Sequence, residues 1–286
     1  MSSSRRSRRL SPEELMQAVA SLSQHLSQSE AQFSISGGAA TSIVRMQYGF
    51  AQRATDDIDL VIQPRGSTTA ESVSNWLLKT FPTVFVAKQH FGVTTPAITI
   101  QRRDGSTQHV EIEMFDVEAW PNRPQYNLDD PDNDVTMMTV NGVEVPIFSA
   151  RWLLREKIVT AFERQGTRKE ETDLDDISIL LEAVDANGLD LTGREEAVKH
   201  AVAQLPESFE LLCLKVICPG VLGNPWVWNE HAEVYWAFKE QLQYLDESLE
   251  RHNFEWDTNG QVWYFSNEKG QTWSYDDGTG DLMLWT

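Results

Sequence analysis

Cysteine, basic residues and long apolar runs are all scarce in this chain. Its 286 residues hold two cysteines, Cys213 and Cys218, in one apolar segment, and we expect reduced core thiols rather than a disulfide framework. The six histidines are scattered, without the spacing of zinc ligands. No apolar stretch reaches the length that spans a bilayer. We therefore expect a cytoplasmic protein without membrane contact.

The shortage of basic residues limits the partners. Lysine and arginine number 24 against 43 acidic residues, which gives a formal net charge of -19. Extended nucleic acid is usually bound by basic surface, because neutralised phosphates drive the binding, so we expect no extended DNA binding. An acidic body suits a cationic small molecule or a protein hydroxyl. An RNA end would need a local basic patch, for which the candidates are Arg102, Arg103, Arg164, Arg168 and Lys169.

The sequence that is present suggests four successive regions. Residues 1–10 are rich in serine and arginine and are expected to be a disordered basic tail, with a nuclear or organellar address as the alternative. Residues 11–148 are expected to form a mixed core that opens on a helix capped by Ser11. Residues 149–249 are expected to be a helical domain, and residues 250–286 an aromatic β-meander. The helical domain is supported by apolar residues at helical spacing near its end: Val234, Tyr235, Phe238, Leu242, Leu245 and Leu249.

The segment Ile35-Ser36-Gly37-Gly38 is typical of a phosphate-binding turn. Glycine has no Cβ, so Gly37 and Gly38 let the backbone turn tightly and approach a ligand closely. Residues 39–48 can form a helix whose free N–H groups and positive dipole end would face a phosphate. The hydroxyl group of Ser36 or Thr41 is a further candidate contact.

An aspartate pair follows this turn. Asp57 and Asp59 head the apolar run Leu60-Val61-Ile62, which predicts a strand. Residues two apart on a strand share a face, so both carboxylates point the same way. Converging hard oxygen ligands suit Mg²⁺. A glycine pair or an aspartate pair alone is common and says little about function. Their combination here, in the order strand, glycine pair, helix, aspartate pair and strand, is a far more specific sign of a phosphate and metal site.

A hairpin supplies a third acidic residue. Residues 97–101 and 109–115 alternate apolar and polar side chains, and the turn between them contains Asp104-Gly105. Glu111 and Glu113 share one face of the second strand. The same two residues also fit the solvated face of an edge hairpin.

A later helix carries a lysine inside its apolar stripe. Ser149 can cap a helix over residues 150–164, and Lys157 falls among its inward residues. A buried unpaired ammonium is costly, so Lys157 must reach solvent or meet an anion. The following helix carries Asp173 and Asp176, either as functional acids or as a solvated face. The stripe around Lys157 includes Leu153, Leu154, Ala161 and Phe162.

Gly37-Gly38 together with Thr55-Asp56-Asp57-Ile58-Asp59 resembles the signature of the DNA polymerase β-like nucleotidyltransferase superfamily. Within it, the chain is most similar to the AbiEii-like branch, which contains toxins of toxin–antitoxin systems, over about residues 33–183. The resemblance implies an α+β fold. A nucleotidyltransferase-type mixed sheet with flanking helices, residues 11–148, would be followed by the helical domain and the small antiparallel β tail.

The same resemblance implies an enzyme that depends on Mg²⁺ or Mn²⁺. It would move a nucleoside monophosphate from an NTP to an acceptor hydroxyl on a small molecule, an RNA end or a protein, with release of pyrophosphate. Asp57, Asp59 and Glu113 would hold two metal ions, with Glu111 as the alternative third acid. Lys157 would act near the phosphates. The further residues implied at the nucleotide are Ser36, Gly37, Gly38, Arg53, Thr55, Asp173 and Asp176.

The C-terminal segment is crowded with aromatic residues and turn signals, which predicts a three- or four-stranded meander. Residues 259–273 are similar to two strands of a WW domain, but Ser274-Tyr275 replaces the proline expected after Trp273. We therefore expect this sheet to pack on the helical domain or to form a homodimer rather than to bind proline-rich peptides. The alternative function is a catalytically silent nucleotidyltransferase fold that binds a nucleotide or a partner through this tail.

Overall fold

The computed structural model describes residues 10–53, 55–90, 93–238 and 241–285. The chain divides into two compact units, Met1–Leu153 and Leu154–Thr286. Nowhere in the described ranges is a helix long and apolar enough to cross a membrane. Most of the expected basic tail, residues 1–9, lies outside the described residues. Leu10 was assigned to that tail wrongly, because its side chain is buried.

The first unit is built around a mixed sheet of seven strands. They are β1 (Phe33–Ser36), β2 (Asp57–Ile62), β3 (Phe85–His90), β4 (Val93–Gln101), β5 (Thr107–Phe115), β6 (Val135–Val140) and β7 (Val143–Phe148). Their order is β3-β4-β5-β2-β1-β7-β6. The pairs β2–β5 and β1–β7 are parallel, and the others are antiparallel. The predicted α+β fold, the strand at Asp57 and the hairpin with Glu111 are confirmed.

Helices α1 (Pro12–Leu26), α2 (Gly37–Gln47) and α3 (Ala70–Thr80) contact this sheet. α1 begins at the predicted capping box, in which the side chains of Ser11 and Glu14 each accept a hydrogen bond from the other's backbone N–H. At the centre of the sheet, Ile58, Leu60 and Ile112 are completely buried on one face. Side chains alternate along a strand, so the acidic residues between these three lie on the opposite face.

The boundary between the units falls inside α4 (Ala150–Glu163), the helix predicted after Ser149. The Ser149 hydroxyl caps it by accepting a hydrogen bond from the Trp152 N–H at 3.1 Å. Two short strands, β8 (Leu189–Asp190) and β9 (Val216–Ile217), pair in parallel. Cys213 and Cys218 are buried free thiols, as predicted. The remaining helices of the second unit are α5 (Arg168–Glu182), α6 (Glu195–Gln204), α7 (Phe209–Lys215) and α8 (Pro219–Leu222).

The helix predicted up to Leu249 is wrong. That segment forms β11 (Val234–Phe238) and β12 (Leu242–Leu245), which pair antiparallel between β10 (Val227–Asn229) and β13 (Arg251–Asn253). Valine and aromatic residues dominate β11, and such residues fit a pleated, half-buried surface. A short apolar run satisfies both the helical and the strand period, so spacing alone does not separate them.

The last segment forms the predicted meander, with strands β14 (Glu255–Asp257), β15 (Val262–Ser266), β16 (Thr272–Asp276) and β17 (Asp281–Leu284). Its inner face packs on the β10–β13 sheet, a partner that the sequence did not predict. Tyr244 stacks on Phe265 with ring centroids 4.1 Å apart. The buried residues of this shared core are Ala232, Val234, Trp236, Leu242, Phe254, Phe265, Trp273 and Leu282.

Candidate active site

The two glycines predicted to bind phosphate form the start of α2. Gly37 has φ of +59°, in the left-handed region that favours glycine, and an ideal Cβ there would lie 1.8 Å from Oδ2 of Asp59. A Cβ on Gly38 would lie 2.2 Å from Nη2 of Arg53 and 2.9 Å from Oγ1 of Thr55. The structure therefore brings the glycine turn and the segment that leads into β2 into direct contact.

Gly37→Ala is expected to lower the free energy of unfolding by about 1–3 kcal/mol more than Gly49→Ala, because the added methyl group meets the Asp59 carboxylate. Gly49 is a matched control: its φ is also positive, at +75°, but no atom lies within 4 Å of its ideal Cβ. Urea unfolding of both variants checks this. Equal losses would show that the space beside Gly37 is not limiting.

Four carboxylates lie on one face of the sheet, and the buried residues Ile58, Leu60 and Ile112 lie on the other. The parallel register of β2 and β5 pairs Asp57 with Glu111 and Asp59 with Glu113. On the other side of β2, Asp59 pairs with Ser36 of β1. Ser36, Asp59 and Glu113 therefore form one row across three strands, and this row leads directly into Gly37.

Hydrogen bonds fix the side chains that flank this row. Thr55 is buried, and its hydroxyl donates to Oδ1 of Asp57 at 2.8 Å, which orders the segment that leads into β2. The hydroxyl of Thr41 donates to the carbonyl of Gly37 at 2.9 Å, inside α2. Of the two candidate hydroxyl contacts, Ser36 therefore remains the better placed for a ligand.

Two further polar residues, which the sequence patterns did not single out, lie on the same face. Register places His109 two residues before Glu111 on β5, and Lys88 of β3 opposite Thr95. Nδ1 of His109 is hydrogen-bonded to the Thr99 hydroxyl at 3.2 Å. Burial, followed by the nearby Lys88 ammonium, lowers the pKa of His109. The alternation of side chains along β5 is enough to place His109 on the face of Glu111. Lys88 lies on another strand, so its place on this face can be known only from the order of the strands.

In the second unit, Lys157 meets an anion, which is one of the two outcomes predicted from its position in the apolar stripe. The side chain is buried, and its Nζ lies 2.7 Å from Oδ1 of Asp173 and 2.9 Å from Oδ2 of Asp176. Asp173 also binds Arg164 at 2.8 Å. A solvated face for the two acids is the wrong interpretation, because both are buried. The inward position predicted for Phe162 is also wrong, since that side chain is 38% exposed.

Two of the expected basic-patch residues in the first unit are paired with acids. Nε of Arg102 lies 3.2 Å from Oε1 of Glu14, and Nη2 of Arg103 lies 3.6 Å from Oε1 of Glu13. These pairs reduce the positive charge available to an RNA backbone.

Comparison with known proteins decides the family. The model of the nucleotidyl transferase AbiEii toxin family, of type IV toxin–antitoxin systems, matches residues 21–244. The chain belongs to this family. This confirms the resemblance carried by the glycine turn and the aspartate pair.

The AbiEii-family chain is also similar to solved structures. A crystal structure of an antigenic nucleotidyltransferase-like protein from Paracoccidioides brasiliensis is 37% identical, with a TM-score of 0.70 over 76% of this chain and 100% of that one. The solution structure of the antibiotic-resistance factor ANT(2'')-Ia is 13% identical, with a TM-score of 0.37 over 70% of this chain and 94% of that one. No curated protein matches the chain.

Proposed function

We propose that this AbiEii-family chain transfers a nucleoside monophosphate from an NTP to an acceptor hydroxyl. The observation that supports the proposal most directly is the contact between Gly37 and Asp59, with Glu113 in register beside them. A turn suited to phosphate and a row of carboxylates then lie at one point of the sheet. This is the combination that a negatively charged triphosphate and its cations require.

The residue types on this face of the sheet are those that bind divalent cations. Asp57, Asp59 and Glu113 offer carboxylate oxygens from one face, and the Thr55 hydroxyl orients the first of them. These three residues would hold Mg²⁺ or Mn²⁺, and Glu111 is the alternative to Glu113. Cations there would neutralise developing negative charge and lower the pKa of the acceptor hydroxyl.

The protein's own groups would position the triphosphate. Backbone N–H groups at the start of α2, from Gly37 and Gly38, would donate to phosphate oxygens, with Ser36 beside them. The guanidinium of Arg53 lies next to Gly38 and would face the same phosphates. Lys157, in the second unit, is included from the family resemblance alone, as a residue near the phosphates.

In the reaction, the acceptor oxygen forms a bond to the α-phosphorus, and the bond from that phosphorus to pyrophosphate breaks. Glu113 would accept the proton of the acceptor hydroxyl. Much of the rate enhancement would come from positioning and from stabilised charge, because the protein forms no covalent bond itself.

The charge of the chain favours particular acceptors. A net charge of -19, with Arg102 and Arg103 paired to acids, suits a cationic small molecule or a hydroxyl of a protein better than an RNA end. An RNA end is therefore the least favoured of the three classes of acceptor, and the experiment below includes all three.

The test is label transfer from each of the four α-³²P-labelled NTPs, with Mg²⁺ or Mn²⁺. Three acceptor pools are offered: an aminoglycoside, bulk tRNA and the protein itself. We expect one NTP to label one pool with stoichiometric pyrophosphate release, and EDTA to abolish the transfer. Folded protein that labels no pool with any NTP and either metal would refute the proposal.

A further inference from the structure

The outer face of the C-terminal meander has an aromatic and thioether surface that the shared core does not use. Register pairs Tyr264 with Ser274, and Ser274 with Met283, while the opposite side chains of the same strands fill the core. The ring of Trp285 lies 4.9 Å from that of Tyr264, at an interplanar angle of 53°. We call Tyr264, Ser274, Met283 and Trp285 the outer aromatic face.

This face is open to solvent. Met283 is 51% exposed and Trp285 is 37% exposed in the structure of the whole chain. Tyrosine, tryptophan and methionine are enriched at protein interfaces, where their large rigid or polarisable surfaces supply most of the binding energy.

The charge around the face has one sign. Alternation along β14 and β16 puts three carboxylates on its side of the sheet, and no lysine, arginine or histidine occurs in β14–β17. They are those of Glu255, Asp257 and Asp276, whereas the Asp281 carboxylate accepts a hydrogen bond from Asn229 of the other sheet at 2.8 Å. Over residues 227–285 the sequence holds 12 acidic residues against 3 lysines and arginines.

The phenol of Tyr264, on this face, lies close to two of these carboxylates, those of Glu255 and Asp257. Its hydroxyl donates to Oε2 of Glu255 at 2.6 Å. That hydrogen bond, followed by burial and by the charges of Glu255 and Asp257, raises the pKa of the Tyr264 phenol.

We propose that the outer aromatic face docks an extended, arginine- or lysine-bearing segment of a partner protein. Aromatic rings attract guanidinium and ammonium groups over their faces, and carboxylates at the rim pair with the same groups. A second copy of this chain is a poorer occupant, because two such faces would bring six carboxylates together. Nucleic acid is disfavoured for the same reason. The proposal does not rest on nucleotidyl transfer.

The test measures binding of a fluorescein-labelled peptide of alternating arginine and serine, eight residues long, to the full-length protein by anisotropy. We expect Trp285→Ala and Tyr264→Leu each to weaken binding about tenfold, as loss of an aromatic anchor does at other interfaces. The matched control is Trp228→Ala. That residue is 47% exposed, and it lies on β10, in the other sheet. We expect its effect to stay below about twofold.

Three outcomes would overturn the proposal. Equal weakening by Trp285→Ala and Trp228→Ala would mean that the peptide only follows the net negative charge. Unchanged binding in both face variants, with folding verified by circular dichroism, would place the peptide elsewhere. Light scattering that shows a dimer of the wild type, lost in Trp285→Ala, would assign the face to self-association. Met283→Ala tests the same face if a variant at Tyr264 fails to fold.

Discussion

Asp59→Asn is expected to slow nucleotidyl transfer by about 10²–10³-fold, the loss found when one preorganised electrostatic contact is removed from a transition state. The amide keeps the size of the side chain and therefore its contact with Gly37, but removes the negative charge. The loss should appear in kcat, with unfolding free energy close to that of the wild type. Label transfer under saturating NTP measures it. An unchanged rate would remove this carboxylate from the reaction.

Glu113→Gln and Glu111→Gln are the matched pair that identifies the third acid. Glu113 pairs with Asp59, in the row that leads to Gly37, whereas Glu111 pairs with Asp57 one step away. We therefore expect Glu113→Gln to cost about as much as Asp59→Asn, and Glu111→Gln to cost less than about tenfold, below the effect of most groups that orient a ligand. The reverse ranking would make Glu111 the third acid. Two neutral variants would mean that the hairpin face is only solvated.

The local chemistry of this site could be predicted from the sequence, but the distances could not. A Gly-Gly pair before a helix predicts a tight turn that a ligand can approach closely. An Asp-x-Asp at the start of a strand predicts two carboxylates on one face. The contact of Gly37 with Asp59 depends on β1 and β2 being antiparallel neighbours, which no local pattern specifies. The preference for Glu113 is likewise a matter of register between strands that are distant along the chain.

Lys157 shows what burial adds to sequence patterns. Its place in the apolar stripe of α4 predicted that it would reach solvent or meet an anion, and the structure shows the second outcome. The sequence did not predict that Asp173 and Asp176 supply that anion. The structure uses both, because residues three apart on α5 lie on one face and both carboxylates reach the same ammonium.

The wrong prediction of a helix up to Leu249 has a different cause. Val234, Phe238, Leu242 and Leu245 lie at helical intervals, but they belong to two short strands. Residues of β11 bury alternate side chains against the aromatic meander, and that partner sheet decided the outcome. Tertiary packing overrides a weak local period, especially in runs shorter than a typical helix.

Lys157→Met is expected to lower the free energy of unfolding by about 3–5 kcal/mol, the cost of removing one partner from a buried ion pair. The substitution leaves the carboxylates of Asp173 and Asp176 in an interior where both side chains are at most 3% exposed. The matched control is Lys199→Met. Lys199 binds Glu196 at 2.8 Å, but these side chains are 55% and 71% exposed, so we expect a much smaller loss of stability.

The triple variant Lys157→Met/Asp173→Asn/Asp176→Asn separates the two sources of this loss. It removes the two carboxylate charges that have lost the lysine, while the amide at position 173 keeps a polar oxygen for Arg164 and Thr160, so it should recover part of the stability lost in Lys157→Met. Urea unfolding followed by fluorescence and by circular dichroism measures all three variants, and coincident curves check for a single transition. If the triple variant is less stable than Lys157→Met, the carboxylates stabilise the second unit without the lysine, and the loss of the lysine's charge from beside them does not explain the lower stability of Lys157→Met.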